Sequence, residues 1–432
     1  MAERTVPLTI RGGNIVDPGT GFCGPADLFL AGGRVVGLAA PGEQDAVGEV
    51  LDVAGRVVCP GLIDLHVHLR EPGQSHKETI ATGTRAAVAG GFTAVCCMPN
   101  TTPVLDRPER LRDLHERLAK HAMCRVYVIG AVCLDNDPER PADLEALARC
   151  GCVAVTDDAF PLQTQQQRRN ALQRAAAAGL PFVAHCEDKG LSAGGVINEG
   201  AVSGQLGVPG QPDRAESEAV AAWLELADCG GRLHLAHISA AASVAAIAGA
   251  RATWGDRLTA ETAPHYFALN EHAVLEHGAN AKMNPPLRTE ADRKCILQAV
   301  KDGLISAVAT DHAPHAAEEK ARGLMDAPFG VVGLETALGA SLSTLPMAIT
   351  DILARLSSGP AQVLALPGGH LAPGAPADVT ILDPEEHWTV VPSAFQSMGR
   401  NTPFAGVNLR GRAWATIVGG RLVWHDGHLV DE

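Results

Sequence analysis

The chain is poor in aromatic residues and lacks any long apolar run. Only 4% of its 432 residues are aromatic although 46% are hydrophobic, so its core must be built mainly from aliphatic side chains. No apolar run approaches the roughly 18 residues of a membrane-spanning helix, and the start of the chain, MAERTVPLTIRGG, has no apolar signal-peptide core. These absences predict a cytoplasmic protein with no membrane partner.

Basic runs and closely paired cysteines are also absent. The formal net charge is −14, with 35 Lys and Arg against 49 Asp and Glu, which argues against nucleic acid as the main partner. A small anionic substrate would need a local cation in its site, because the overall field repels it. The 11 cysteines form no C-x-x-C pair, which favours buried free thiols over disulfides or a structural zinc site.

Both ends of the chain contain short β-branched runs around glycine turns. LTIRGGNIVD and LFLAGGRVVGL occur near the start, and PADVTILD and ATIVGGRLVWHDG occur near the end. This pattern is typical of β-hairpins. We therefore predict that residues 1–58 and 368–432 form one small β domain, bordered by Gly/Pro-rich stretches at 59–61 and 366–378.

Residues 59–367 alternate short apolar runs with helix-like stretches. The strand candidates are GLIDLHVH, FTAVCCM, CRVYVIGA, CVAVT, PFVAHC, RLHLAHI, RLTAET and ISAVAT. The helix-like stretches include 76–89, 107–121, 164–178, 214–228 and 289–302. Such alternation needs parallel strands and predicts an α/β fold, a (β/α)8 TIM-type barrel. A doubly wound sheet is the alternative, but no G-x-G-x-x-G follows the first strand.

Polar side chains follow the carboxyl ends of several predicted strands. Alternate residues of a strand share a face, so His66 and His68 in DLHVHLREPG point the same way, with Arg70 next on that face. The residues at the other strand ends are Asn100, Asp157, Asp158, His185, His237, Asp311, His312 and His315. In a barrel these ends meet at one mouth, where barrel enzymes carry their catalytic residues.

Histidines and aspartates without cysteine are typical of a catalytic metal site rather than a structural one. Four histidines and two aspartates from this set are too many for one open tetrahedral ion, and they suit two ions that share a bridging carboxylate and a bridging water. Such ions lower the pKa of bound water to about 7. Asp311 has no neighbouring cation in sequence, and it is placed to take a proton from that water and return it to a leaving group.

Six further stretches add a resemblance to a known family. They read PGLIDLHVHLREPG, GGFTAVCCMPNT, AHCED, KMNPPLR, TDHAPH and APFGVVGLET. Together they resemble the dihydroorotases, of the long bacterial type within the amidohydrolase superfamily, and the resemblance covers essentially the whole chain. It implies reversible cyclisation of N-carbamoyl-L-aspartate to L-dihydroorotate in de novo pyrimidine (UMP) biosynthesis. The reaction would use a metal-activated hydroxide, with residues 59–367 forming the metal-dependent barrel.

The resemblance also implies a role for individual residues. Two Zn²⁺ per subunit would be bound by His66, His68 and Asp311 at the first site and by His185 and His237 at the second, with Asp158 bridging them. Asp311 would also be the general base and acid. The substrate carboxylate would contact Arg70, Asn100 and His315, and the ring would contact Asn284 and the backbone of Pro328 and Phe329. An arginine offers the planar fork that a carboxylate accepts, which supplies the local cation.

Some assignments within this site have alternatives. Asp157 could replace Asp158 as the bridge if the fourth strand ends early, and Asn284 could be a plain loop residue. The segment 315–330 is either a lid over the site or an ordered connector. Ala159 stands where the family usually has glycine, and a positive φ there would strain the backbone.

Two other functions are weighed against this one. Hydantoinases and allantoinases carry a carboxylated lysine as the bridge, and no lysine occurs between Lys120 and Lys189, so these cyclic amidases are second choices. The chain could also be a non-catalytic or bifunctional dihydroorotase-like partner of aspartate carbamoyltransferase, although all six candidate metal ligands are present. We expect a homo-oligomer, and a complex with that transferase is left open.

Overall fold

The computed structural model describes residues 6–430. Its first strands are β1 (Leu8–Asp17), β2 (Phe22–Ala31), β3 (Arg34–Ala39), β4 (Glu49–Asp52) and β5 (Val57–Pro60). β1 pairs antiparallel with β2, and β2 with β3, whereas β4 and β5 pair parallel with successive parts of β1. The apolar side chains of these strands, including Ile10, Ile15 and Leu28, are fully buried in a core of their own.

The middle of the chain contains ten strands. They are β6 (Leu62–Val67), β7 (Phe92–Cys97), β8 (Arg125–Ala131), β9 (Cys152–Thr156), β10 (Phe182–Ala184), β11 (Ile197–Asn198), β12 (Gly210–Gln211), β13 (Leu233–Leu235), β14 (Leu258–Thr262) and β15 (Ala307–Val308). Eight of them, all but the separate pair β11–β12, form one parallel sheet in chain order. A parallel bridge between Val67 and His312 joins the last strand region to the first. All eight predicted strands are confirmed, and so is the barrel.

Helices connect these strands and surround the sheet. They are α1 (Ile80–Ala89), α2 (Pro108–His121), α3 (Leu144–Arg149), α4 (Gln165–Ala177), α5 (Lys189–Ser192), α6 (Ala201–Leu206), α7 (Arg214–Leu224), α8 (Ala241–Trp254), α9 (Pro264–Ala268), α10 (Ala273–His277), α11 (Glu290–Lys301), α12 (Ala317–Lys320), α13 (Gly323–Asp326), α14 (Ala337–Thr344), α15 (Ile349–Leu356) and α16 (Ser358–Leu364). Each of the predicted helix-like stretches contains one of them. The residues just before α1, α4 and α11 are the N-cap residues Thr79, Thr164 and Thr289. Their hydroxyls accept backbone N–H groups in capping boxes.

The end of the chain returns to the first sheet. β16 (Val379–Thr389), β17 (Asn408–Val418), β18 (Arg421–His425) and β19 (His428–Leu429) extend it, because β16 pairs antiparallel with β5. Strands from both chain ends therefore form one nine-stranded sheet, as predicted. The proposed boundaries at 58/59 and 367/368 stay predictions. Within residues 6–430, no helix combines the length and apolar character needed to cross a membrane.

Candidate metal centre

His66 and His68 project from the carboxyl end of β6 into the mouth of the barrel. The Nδ1 of His66 lies 3.1 Å from a carboxylate oxygen of Glu261, and its Nε2 has no hydrogen-bond partner among residues 6–430. The Nδ1 of His68 lies 2.9 Å from Oδ1 of Asn100, and its Nε2 lies 3.1 Å from Oδ1 of Asp311. In each ring one nitrogen is oriented by the protein, and the other faces a shared space.

His185 and His237 form the second half of the site, at the ends of β10 and β13. The Nδ1 of His185 lies 2.8 Å from Nε2 of His237. Two imidazole nitrogens this close must share a proton or face a common cation, since two N–H groups would clash. The other nitrogen of His185 lies 2.9 Å from Oε2 of Glu187, which fixes the orientation of the ring.

The Asp158 carboxylate lies between the two histidine pairs. Its Oδ1 is 3.1 Å from Nδ1 of His185 and 3.8 Å from Nε2 of His66. Two groups therefore have ligand atoms within 4.8 Å of one another, and they are His66–His68–Asp158 and Asp158–His185–His237. Asp157 faces elsewhere, because its oxygens accept the backbone N–H groups of Leu162 and His185. Of the two adjacent aspartates, Asp158 is the one that belongs to these groups.

These residues fit a divalent metal. All are buried, and the donors are imidazole nitrogens and carboxylate oxygens, a set typical of catalytic zinc. Burial alone would lower the pKa of His66, but the Asp311 and Glu261 carboxylates raise it to about 9. Burial likewise opposes protonation of His185, whose pKa the Asp158 and Glu187 carboxylates raise to about 10. The cavity thus carries negative potential that favours a bound cation.

Asp311 follows β15 with its carboxylate against the β6 histidines. Its Oδ1 lies 3.5 Å from Nε2 of His66, besides the contact with His68. Burial alone would raise the pKa of Asp311, but these imidazoles hold it well below the usual range. Asp311, His237 and Arg70 adopt positive φ values of 48°, 39° and 63°. Such strained backbone in non-glycine residues is typical of functional sites.

Arg70 reaches the site by a different route from the one predicted. β6 ends at Val67, so a left-handed turn, and not strand alternation, directs the Arg70 side chain. Its Nε donates to the Pro314 carbonyl at 3.1 Å, and its Nη2 lies 3.3 Å from Nε2 of His315. Burial lowers the Arg70 pKa to about 10, so the buried guanidinium stays charged at neutral pH.

Asn100 contacts the candidate metal ligands, and His315 contacts Arg70. Asn100 contacts both halves of the centre, since its Nδ2 donates to Asp158 at 3.3 Å while its Oδ1 faces His68. The Nε2 of His315 lies 2.8 Å from the Phe329 carbonyl. Burial, followed by the Arg70 charge, lowers the His315 pKa to about 3, so this imidazole is neutral at physiological pH.

Asn284 is connected to the centre through a second residue. Its Nδ2 donates to Oε2 of Glu187 at 2.9 Å, the same oxygen that faces His185. Its Oδ1 accepts from Nε2 of Gln211 at 3.1 Å. Asn284 therefore belongs to a hydrogen-bond network that ends at the candidate ligand His185. A plain loop residue would not need these contacts.

The segment 315–330 contains the short helices α12 and α13, and its role as a lid stays a prediction. The Pro328 carbonyl accepts from Nζ of Lys320 at 2.9 Å, so that oxygen faces the connector. The Phe329 N–H has no acceptor in the part of the chain that the structure describes. The strain considered for Ala159 does not arise, since its φ is not positive.

Sequence reasoning missed Glu261, Glu187 and His234. Glu261 is fully buried between two imidazoles, because its other oxygen lies 3.0 Å from Nε2 of His234. The signal was present in RLTAET, where a carboxylate interrupts an apolar strand at a position that faces the barrel interior. Glu187 lies in AHCED, two residues after the candidate ligand His185.

The family model and the two curated relatives compared with this chain are described as dihydro-orotase-like or as dihydroorotases. A family model described as dihydro-orotase-like matches residues 55–243. The dihydroorotase of Pelotomaculum thermopropionicum is 47% identical over 424 residues, which cover 97% of this chain and 99% of the relative. The dihydroorotase of Syntrophotalea carbinolica is 46% identical over 421 residues, covering 96% of this chain and 99% of the relative.

Solved structures support the fold. The L-hydantoinase (dihydropyrimidinase) from Arthrobacter aurescens superposes with a TM-score of 0.89 at 23% identity, covering 98% of this chain and 97% of that one. The dihydropyrimidinase from Brevibacillus agri NCHU1002 gives 0.85 at 24% identity, covering 98% and 96%. At such identities the likeness establishes the barrel with its separate β domain, and nothing about the substrate.

Proposed function

The chain belongs to the dihydroorotase family, and we propose that it interconverts N-carbamoyl-L-aspartate and L-dihydroorotate at the mouth of its barrel. As a dihydroorotase it is a cyclic amide hydrolase of de novo pyrimidine biosynthesis. One observation carries the assignment of the site: the Asp158 carboxylate is shared by two buried histidine pairs. The charged Arg70 beside them suits an anionic substrate.

Two zinc ions would be bound by the residues described above. His66, His68 and Asp311 would hold one ion, His185 and His237 the other, and Asp158 both. When bound, zinc supplies a Lewis acid that polarises a carbonyl and makes a water nucleophile available at neutral pH. Glu261 and Glu187 would orient His66 and His185 by accepting their remaining ring N–H groups.

Asp311 is the group that moves the proton. In the hydrolytic direction water adds to the ring amide carbonyl, Asp311 accepts a proton from it, and the same proton goes to the departing ring nitrogen. In the biosynthetic direction Asp311 accepts a proton from the attacking carbamoyl nitrogen and returns it to the departing oxygen, which takes a second proton from solvent and leaves as water. The low pKa of Asp311 keeps its carboxylate ionised at neutral pH, which is the form that can accept a proton.

Substrate binding divides between a carboxylate clamp and a ring contact. Arg70, Asn100 and His315 would bind the carboxylate, with Arg70 providing the local positive charge that an anion needs in a protein of net charge −14. Asn284 and the Phe329 N–H would bind polar atoms of the ring. A neutral cyclic amide has no use for the buried guanidinium, which favours dihydroorotate over hydantoin-type rings. Self-association, a transferase complex and a cytoplasmic location stay predictions.

The test is turnover by the purified protein with its metal content quantified. Dihydroorotate, dihydrouracil, hydantoin and allantoin are supplied in parallel, and Asp311→Asn serves as the inactive variant. We expect hydrolysis of dihydroorotate alone, with two zinc ions per chain and no turnover by Asp311→Asn. Turnover of a neutral ring in preference to dihydroorotate would overturn the proposal.

A further inference from the structure

Lys320, at the end of α12, holds together two loops beside the candidate site. Its side chain is buried, and Nζ donates to the carbonyls of Pro328 at 2.9 Å, Gly330 at 3.0 Å and Lys282 at 3.3 Å. An ammonium has three N–H donors, so these three acceptors use all of them. One of the loops leads to Asn284, and the other contains Phe329.

The loop at Pro328–Gly330 turns three consecutive carbonyls toward the protein. Lys320 donates to the first and third, Nδ2 of Asn401 also donates to the third at 3.0 Å, and His315 contacts the middle one, that of Phe329. Gly330 makes this conformation accessible, with a φ of 138°. The Phe329 N–H has no acceptor among residues 6–430, so it can donate to a ligand.

The burial of this ammonium calls for an explanation beyond packing. Its hydrogen-bond acceptors are all backbone carbonyls, and burying an ammonium without a carboxylate partner is unfavourable. The unfavourable environment is visible in the pKa of Lys320, which burial, together with the Lys282 charge, lowers to about 7. An apolar side chain would fill the same space more favourably, but it would leave the Pro328 carbonyl without a donor. The Gly330 carbonyl would keep only Nδ2 of Asn401, and the Lys282 carbonyl only the Gly330 N–H.

We propose that Lys320 is a positioning residue for the substrate ring. By fixing the carbonyls of Pro328 and Gly330, it holds the Phe329 N–H and the His315 imidazole where the ring and the carboxylate would meet them. Lys320 itself does not touch substrate. The expected effect on KM rests on the proposed function. The rigidity of the Pro328–Gly330 loop can be measured whether or not the protein turns over dihydroorotate.

The test compares Lys320→Met with Lys77→Met. Lys77 pairs with Glu319 at 3.2 Å and is another cation that acts on His315, but it contacts none of the three carbonyls. For dihydroorotate we expect Lys320→Met to raise KM at least tenfold, to lower kcat less than threefold and to leave the metal content unchanged. Lys77→Met should keep KM within twofold. A purely structural role would instead lower kcat and metal content together.

A second measurement is independent of activity. Amide hydrogen exchange should be at least tenfold faster in Lys320→Met at Gly330, whose N–H donates to the Lys282 carbonyl, with α11 unchanged. Normal exchange there, or a normal KM, would overturn the inference. If Lys320→Met does not fold, Lys320→Gln keeps two donors on a shorter side chain and should give intermediate values. A wild-type protein that is inactive on dihydroorotate would refute the proposed function, whereas faster exchange in the variant would still support the role of Lys320.

Discussion

A carboxylate oxygen of Glu261 lies 3.1 Å from Nδ1 of His66, so a fully buried acid orients the first imidazole of the candidate metal centre. The carboxylate accepts the Nδ1–H, which leaves Nε2 as the free ligand atom. His234 contacts the other oxygen and keeps Glu261 in place. The same logic recurs at His185, whose Nε2 faces Glu187.

Glu261→Gln should weaken metal binding without removing a ligand. The amide has the shape of the carboxylate but no charge, so it supports the His66 ring less well. Loss of such a partner lowers metal affinity about 10- to 100-fold. Zinc content after dialysis against increasing chelator concentrations measures the effect. The control is Glu276→Gln, whose side chain is exposed on α10. Equal zinc retention by Glu261→Gln and wild type would contradict the role of this carboxylate.

The two adjacent aspartates should respond differently to the same substitution. Asp158→Asn removes the charge that both histidine pairs share, so we expect at least half of the bound metal to be lost and activity to disappear. Asp157→Asn removes only an acceptor for the Leu162 and His185 N–H groups. It should retain its metal and lose about 1 kcal/mol of stability. Metal analysis and thermal unfolding of the two variants distinguish them, and the reverse pattern would make Asp157 the bridge.

Arg70→Lys should impair binding of dihydroorotate even though the charge is kept. Lysine cannot reproduce the planar pair of donors, and one lost charge-assisted hydrogen bond raises KM about 10- to 100-fold. The variant should bind zinc normally, since Arg70 is not a ligand. Steady-state kinetics on dihydroorotate give the answer. An unchanged KM would place the substrate carboxylate elsewhere.

Most of the site is predictable because parallel strands of a barrel end at one mouth. Strand ends predict His66, His185, His237 and either Asp157 or Asp158. The structure brings the three histidines together with Asp158. The sequence alone could not choose between Asp157 and Asp158, because the choice depends on where β9 stops. β9 ends at Thr156, and the Asp157 side chain then accepts the backbone N–H of Leu162.

The contacts that orient the site depend on tertiary structure. Glu261 and His66 are 195 positions apart in the sequence, and no local sequence pattern predicts that they are in contact. The positive φ of Arg70 arises in a turn that strand periodicity does not describe. Lys320 resembles any charged residue of a short helix until its carbonyl partners are known. These residues become recognisable only when the neighbouring loops are in place.

Glu335 should make stability depend on pH. Burial raises its pKa from 4.5 to about 7, although Gln396 and Ser397 donate backbone N–H groups to it. Between these values the folded state holds a proton that the unfolded state has released, so the stabilisation is complete below pH 4.5 and is lost as pH rises through 7. The total is up to about 3 kcal/mol.

Glu335→Gln cannot titrate, so this part of the pH dependence should vanish. Denaturant unfolding from pH 5 to pH 8 measures the slope for wild type, Glu335→Gln and the control Glu385→Gln, whose carboxylate is exposed on β16. We expect a flatter slope for Glu335→Gln alone. Parallel curves for all three proteins would mean that Glu335 is ionised throughout this range.

Gly330→Ala should disturb the substrate-binding loop more than the fold. An added Cβ would lie 2.8 Å from the Ala313 carbonyl oxygen and 2.9 Å from Nε2 of His315, at a φ of 138° that alanine rarely adopts. The strain amounts to about 1–3 kcal/mol, and turning the peptide relieves it. That turn withdraws the Gly330 carbonyl from Lys320 and displaces the Phe329 N–H.

The variant should therefore raise KM for dihydroorotate at least tenfold while its metal content stays normal, because no candidate ligand lies in this loop. Gly204→Ala is the matched control, since its added Cβ meets no atom within 4 Å in α6. It should leave KM unchanged and stabilise the protein by about 0.5–1 kcal/mol. Kinetics and unfolding of both variants separate loop geometry from general stability. A normal KM for Gly330→Ala would mean that the ring does not depend on this loop.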